Sequence, residues 1–149
     1  ERLILRPFRE DDLEEFYAYA SDPEVGPKAG WKPHDSRNES WEVLQRFIRE
    51  REVWALVEKE TGRLIGSIGL HQDTKRSCEN IKMLGYVIGR PWWGKGYATE
   101  CLNHARKIAV ENNCYKMMLM TGSKKQSTLD FYIKAGYNCT DKTAFVQWL

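Results

Sequence analysis

Apolar and polar residues alternate through the opening segment Arg2-Leu3-Ile4-Leu5-Arg6-Pro7-Phe8, which predicts a strand over 2–8. Pro7 lacks an amide proton and puts that strand at an edge or an end. The period then changes. Asp11 and Asp12 open a helix whose apolar positions Leu13, Phe16, Tyr17 and Ala20 share one face, and Ser21-Asp22-Pro23 stops it. Residues 23–35 are rich in Pro, Gly and Lys and read as a loop, where Trp31 and His34 have no obvious place in a core. Ser36 followed by Glu39 is a capping box that starts a second helix through Trp41, Leu44, Phe47 and Ile48. Two apolar runs, 53–57 and 64–70, flank the hairpin turn Thr61-Gly62. A polar loop over 72–80 leads to a strand over 81–88, interrupted by Gly85. Ala98, Cys101, Leu102, Ala105, Ile108 and Ala109 then repeat at helical spacing, ended by Asn112-Asn113. Residues 117–121 read as a buried strand, 127–135 as a short helix with Gly136 as its C-cap, and 143–149 as a closing strand. This order predicts a mixed α/β (α+β) fold with a central sheet flanked by helices, one domain over 1–149.

Composition narrows the class. A chain of 149 residues with 42% hydrophobic and 30% charged residues folds around a core of its own, without staples. No apolar run approaches the roughly 20 residues that span a bilayer. No signal-peptide pattern opens the chain, so a soluble, cytoplasmic protein is expected, with no membrane partner. The 23 basic and 21 acidic residues give a net charge of +2, too balanced to announce nucleic acid. Cys78, Cys101, Cys114 and Cys139 are widely spaced, so neither a metal site nor a disulfide framework is expected. There is no repeat, low-complexity tract or linker.

The segment Gly89-Arg90-Pro91-Trp92-Trp93-Gly94-Lys95-Gly96-Tyr97-Ala98-Thr99-Glu100 carries the most chemistry. A strand feeding a glycine-containing loop and then a helix N-terminus is an anion site, because free amides and the helix dipole converge there. Gly94 and Gly96 let the backbone approach a ligand, and Lys95 adds a positive charge. The dipole contributes about 0.3–2 kcal/mol, so several such effects must act together. A pyrophosphate is the ligand this suits. The loop is too short for a P-loop, and it follows hairpin-linked strands rather than the first strand of a βαβ unit. The plainer alternative is two glycines shaping a tight turn.

Trp93-Gly94-Lys95-Gly96-Tyr97-Ala98 resembles the acetyl-CoA motif of the GNAT acyltransferases, [Q/R]-x-x-G-x-[G/A], with Trp93 at the usual Gln or Arg position. Gly85-Tyr86-Val87-Ile88, the loop through Glu100, and the opening Glu1 to Arg9 are similar to the ribosomal-protein N-terminal acetyltransferase branch. Residues 114–149, with Thr121-Gly122-Ser123-Lys124-Lys125 and the ending Phe145-Val146-Gln147-Trp148-Leu149, look like another GNAT branch, so the acceptor is inherited from neither half.

The resemblance implies a GNAT fold: a mixed, mostly antiparallel sheet whose strand 81–88 splays from strand 117–121. The pantetheine arm would lie in that gap beside Tyr86, Val87 and Ile88. The pyrophosphate would sit on the amides of Trp93, Gly94, Lys95, Gly96, Tyr97, Ala98 and Thr99. Acetyl-CoA is thus the expected co-substrate, with Lys125 and Thr128 as further contacts and Tyr132 facing the sulfur. The implied reaction is transfer of an acetyl group to a primary amine, on a protein N-terminus or a small molecule. A homodimer is compatible with it, and longer acyl groups stay open. The alternative is a non-catalytic CoA-binding sensor or interaction module.

Transfer from a thioester to an amine needs a neutral amine, a stabilised oxyanion and a proton for the thiolate. Tyr132, in Phe131-Tyr132-Ile133-Lys134-Ala135-Gly136-Tyr137, resembles the family's general acid; an ordinary Tyr, with a pKa near ~10, is protonated at neutral pH. Packing beside the cofactor is its plainer role. Ser123 and Ser127 are alternatives to Lys125 and Thr128 as contacts. No general base is evident. Relatives often place a Glu on the fourth strand, where this chain has Lys82-Met83-Leu84. Glu79, His71 and His34 lie nearby and read as polar surface residues. A water relay, or an amine that arrives neutral, needs no base. Glu100 reads as serving the first turn of its helix.

Overall fold

Strand by strand, side chains alternate between two apolar layers, and this places helices on both faces of one sheet. The structure, a computed structural model, describes residues 1–72 and 81–141. Its strands are β1 (Leu3–Pro7), β2 (Val53–Glu58), β3 (Leu64–Gln72), β4 (Ile81–Ile88) and β5 (Lys116–Met118), side by side in chain order. The first three pairings are antiparallel; β4 and β5 run parallel. The helices are α1 (Leu13–Ala20), α2 (Gly26–Ala29), α3 (Arg37–Glu50), α4 (Tyr97–Glu111) and α5 (Gln126–Lys134). This is the mixed, mostly antiparallel architecture expected from the sequence. Among the described residues no helix is long and apolar enough to cross a membrane.

One layer packs α1 and α3 on Val53, Ala55 and Val57 through Phe16, Leu44 and Phe47. The other packs α4 and α5 on Leu56, Ile68, Leu84 and Ile88 through Cys101, Leu102, Ala105 and Phe131. Leu56 and Leu44 are wholly buried, and truncating either to Ala costs about 2–5 kcal/mol. Asp12 joins β1 to α1. Its carboxylate pairs with the Arg6 guanidinium at 2.6 and 2.7 Å and accepts the Arg9 amide at 2.8 Å. The Asp11–Asp12 start therefore takes the form of a 3-10 turn, Glu10–Asp12, ahead of the helix.

Several sequence expectations are revised. The stretch 23–35 contains α2 and is tied down. Trp31 packs so closely on Gly26 that a Cβ there would stand 2.8 Å from the Trp31 carbonyl oxygen. His34 bonds Ser40 Oγ at 2.7 Å and packs edge-on against Phe16. Both residues thus belong to the α1–α3 layer. The Ser36 hydroxyl caps the Glu39 amide, but the Glu39 carboxylate reaches one residue further back, to the Asp35 amide at 2.6 Å. The strand expected over 117–121 is Lys116–Met118 and half-buried rather than buried, with Met120 beyond it 77% exposed. The closing strand 143–149 and most of the 72–80 loop, with Cys78 and Glu79, lie outside the described residues.

Candidate active site

The site begins with which backbone groups β4 keeps for itself. The Gly89 amide donates to the Ile65 carbonyl at 2.8 Å, and the register pairs Ser67 with Val87 and Gly69 with Gly85. In an antiparallel ladder only alternate residues turn their amide and carbonyl to a given neighbour. Met83, Gly85 and Val87 therefore face β3, while Leu84, Tyr86 and Ile88 face the other way. Gly66 agrees: a Cβ there would sit 2.1 Å from the Val87 carbonyl oxygen. On the outward side, β5 pairs only as far as Met83 with Met118. From Leu84 onward the two parallel strands have parted, which opens a wedge edged by the backbone of Tyr86 and Ile88. Val87 was expected on this edge; its backbone is engaged by β3 instead.

The loop after β4 contains the turn Arg90–Trp92. Gly94 and Gly96 follow with φ of +73° and +83°, in the left-handed region that costs other residues about 1–2 kcal/mol. Around Gly94 a Cβ would meet nothing within 4 Å. α4 starts without a side-chain cap, so the first amides of that helix, at Tyr97, Ala98 and Thr99, have no side chain closing them off. Trp93 to Gly96 and Thr99 are exposed. A loop with exposed glycines, an uncapped helix and an adjacent lysine is chemically fitted to a pyrophosphate.

Four side chains of this loop and the first turn of α4 make contacts the sequence did not announce. The Trp93 indole N–H donates to the Ile88 carbonyl at 2.6 Å, closing the last outward acceptor of β4. Lys28 Nζ lies 4.2 Å over the Trp93 ring, and Arg90 pairs with Asp22 at 2.9 Å, so the α1–α3 connection rests on the loop. Tyr97 is buried with its hydroxyl on Glu58 and Arg2 over its ring, leaving only its backbone to a ligand. Glu100 serves more than its own helix turn, since it accepts the amides of Arg2 and Leu3 and holds β1 to α4. Arg2 also donates to the Lys95 carbonyl at 3.0 Å.

At the matching end of β5, the segment leading to α5 is pinned internally. The Ser123 hydroxyl donates to Thr128 Oγ1 at 3.0 Å, and the Lys125 carbonyl accepts the Thr128 amide at 3.0 Å. Lys125 is exposed and Thr128 half-buried. Because β4 and β5 are parallel, this segment and the glycine loop both leave the open end of the wedge. Tyr132, on α5, brings its hydroxyl within 3.1 Å of the Tyr86 hydroxyl from β4. Burial, reinforced by that contact, pushes the Tyr86 phenol well above its ordinary range, so it stays protonated. Tyr137 flanks the pair, ring centroid 6.1 Å from that of Tyr132, and burial raises its phenol also.

His34 is held in the core layer, where burial lowers its pKa, and it faces Ser40 rather than the wedge. His71, at the end of β3, pairs through Nδ1 with Glu52 Oε2 at 3.2 Å.

Residues 2–136 match the family model described as an acetyltransferase (GNAT) domain. The chain belongs to the GNAT acetyltransferase family. Its domain is of the acetyltransferase type. An uncharacterized N-acetyltransferase, p20, from Bacillus licheniformis is 30% identical over 109 residues, 68% of this chain and 59% of that protein. The chain thus spans less than two thirds of that curated relative's length. Among solved GNAT folds, an acetyltransferase from Bacillus anthracis superposes with a TM-score of 0.79 at 18% identity, covering 91% of this chain and 80% of that one. Spermidine N-acetyltransferase from Vibrio cholerae, solved in complex with CoA and spermine, superposes with a TM-score of 0.76 at 19% identity and the same coverage.

Proposed function

We propose that this GNAT domain transfers an acetyl group from acetyl-CoA to a primary amine by direct attack of the amine on the thioester. The observation that carries the proposal is the wedge: an outward backbone edge at Tyr86, an uncapped glycine loop at its mouth, and the Tyr132 hydroxyl beside it. The outward amide and carbonyl of Tyr86 pair with the amides of the pantetheine arm, a cofactor version of strand addition. The backbone of Trp93 through Thr99 holds the pyrophosphate, and Lys95, Lys125 and Thr128 supply the outer contacts. Tyr132 donates its proton to the departing sulfur.

The acceptor is a protein N-terminus or a small amine. The Vibrio cholerae enzyme, with CoA and spermine bound, supports an amine acceptor on this fold.

The experiment is calorimetric titration with acetyl-CoA, repeated on Gly96→Asp with its urea midpoint as a fold control. One-site binding that the added carboxylate removes is expected. No binding to folded wild-type protein would overturn the proposal, and binding without transfer to any amine would leave a CoA sensor.

A further inference from the structure

Proton removal from the amine still needs a group, and β4 offers none on the face toward α1 and α3, where its side chains are Met83, Gly85 and Val87. β3 does. His71 lies directly across the ladder from Met83, and Gly69 from Gly85. The His71 ring leans back over Gly69 so far that a Cβ there would stand 2.4 Å from Nε2. Next to it, a Cβ on Gly85 would meet nothing within 4 Å. Two facing glycines thus floor an open space, with an imidazole at its edge, one strand in from the wedge. Strands are about 4.8 Å apart, a gap that one water bridges.

The same imidazole lines a groove of about 260 Å³ formed with Arg46, Phe47, Glu50, Glu52 and Val53. Glu52 takes Nδ1 at 3.2 Å, and among the described residues no side chain bonds Nε2, the second ring nitrogen. Among the described residues, the charged groups that line this groove with His71 are Glu52 before β2 and Arg46 and Glu50 from α3, two carboxylates and one guanidinium, a lining that suits a cationic amine. Neither His34 nor His104 has this setting, since His34 is bonded to Ser40 and His104 lies 3.7 Å from Glu1.

We propose that His71, oriented by Glu52, is the general base that deprotonates a cationic primary amine lying over Gly85. The proposal rests on the acetyltransferase reading. His71 Nε2 takes one proton from the ammonium, directly or through a water. The freed lone pair forms the C–N bond to the thioester carbonyl carbon, giving an oxyanion. Its collapse breaks the C–S bond, the electron pair leaves on sulfur, and sulfur takes the Tyr132 proton. The nitrogen's second excess proton restores Tyr132 through solvent, and His71 releases its own to solvent. Glu52 is a positioning residue.

The test measures transfer from acetyl-CoA to spermidine and to an unblocked tetrapeptide across pH, with acetyl-CoA affinity as the fold control. His71→Gln is expected to lower kcat/KM by about 10²–10⁴-fold and to erase the acidic limb of the profile. Added imidazole should restore part of the rate in His71→Ala. Glu52→Gln should retain more activity than His71→Gln, because the neutral amide can still orient the ring through Nδ1. Full activity and an intact acidic limb in His71→Gln would overturn the base while leaving the acetyltransferase standing. Failure of wild-type protein to acetylate either amine would overturn both.

Discussion

The hydroxyls of Tyr86 and Tyr132 stand 3.1 Å apart where β4 has left β5. In the proposed mechanism Tyr86, its phenol raised by burial, is the donor once Tyr132 has given up its proton. On that proposal, removing the Tyr132 hydroxyl removes the acid. Removing that of Tyr86 removes one hydrogen bond to a charged oxygen, worth about 1.5–3 kcal/mol. Tyr132→Phe should lower kcat by about 10²–10⁴-fold with unchanged acetyl-CoA affinity. Tyr86→Phe should lower kcat by roughly 10–150-fold on the same energetic grounds. Steady-state kinetics and calorimetry check both, and the double variant should be less than additive. Undiminished turnover in Tyr132→Phe would remove the acid role.

Glu100 makes the fold depend on pH at its acid end. Burial pushes its carboxyl up, but the Leu3 and Arg2 amides and the Arg2 guanidinium outweigh that and hold it below the ordinary range. A depressed carboxyl contributes stability that is present above its unfolded pKa, near ~4.3, and is lost as pH falls through the folded value. Glu100→Gln should therefore be less stable than wild type at pH 7 by about 1–3 kcal/mol. The two proteins should converge on acidification, as read from urea midpoints. A gap independent of pH would mean that the clamp on β1 is steric.

Much of this was legible because it is local. The capping Ser36, the turn at Gly62 and the glycine loop into α4 are set by residues a few positions apart, and the structure has them where the pattern puts them. What was missed depends on partners distant in sequence. Trp31 and His34 look stranded until Gly26 and Ser40 are folded against them. The apolar run 117–121 promises burial on both sides, yet β4 pairs with only its first part, so Met120 faces solvent. The outward set on β4 requires the register with β3, which no single strand reveals. The sequence motif points to the stretch around Tyr86; which of its residues turn their backbone groups outward is visible only in the register with β3.

His34 supplies a second pH effect, of opposite charge type. Burial lowers its pKa, so the folded state prefers the neutral ring that bonds Ser40 and packs on Phe16. The unfolded chain then binds more protons below its own pKa, near ~6.5, and stability falls as pH drops through that value toward the folded one. Between pH 7.5 and 5.5 wild-type protein should lose more stability than His34→Gln, by denaturant midpoint at each pH. Equal slopes would show that the ring is protonated in the folded protein.

Trp93 stands where relatives of the family carry Gln or Arg, and its indole replaces a polar side chain by closing the Ile88 carbonyl at 2.6 Å. Trp93→Phe keeps an aromatic ring under Lys28 but leaves that carbonyl without its donor. The residue is 38% exposed, so water compensates in part, and a loss of about 0.5–1.5 kcal/mol is expected. Acetyl-CoA affinity should change little, because the amides of Gly94 to Thr99 remain. Trp93→Ala also removes the surface on which Lys28 rests, an exposed cation–π contact worth about 0.5–1 kcal/mol. It should therefore be the less stable of the two. If either variant loses acetyl-CoA binding while still folded by its thermal transition, the indole contacts the cofactor itself, and the departure at this position is part of the binding site.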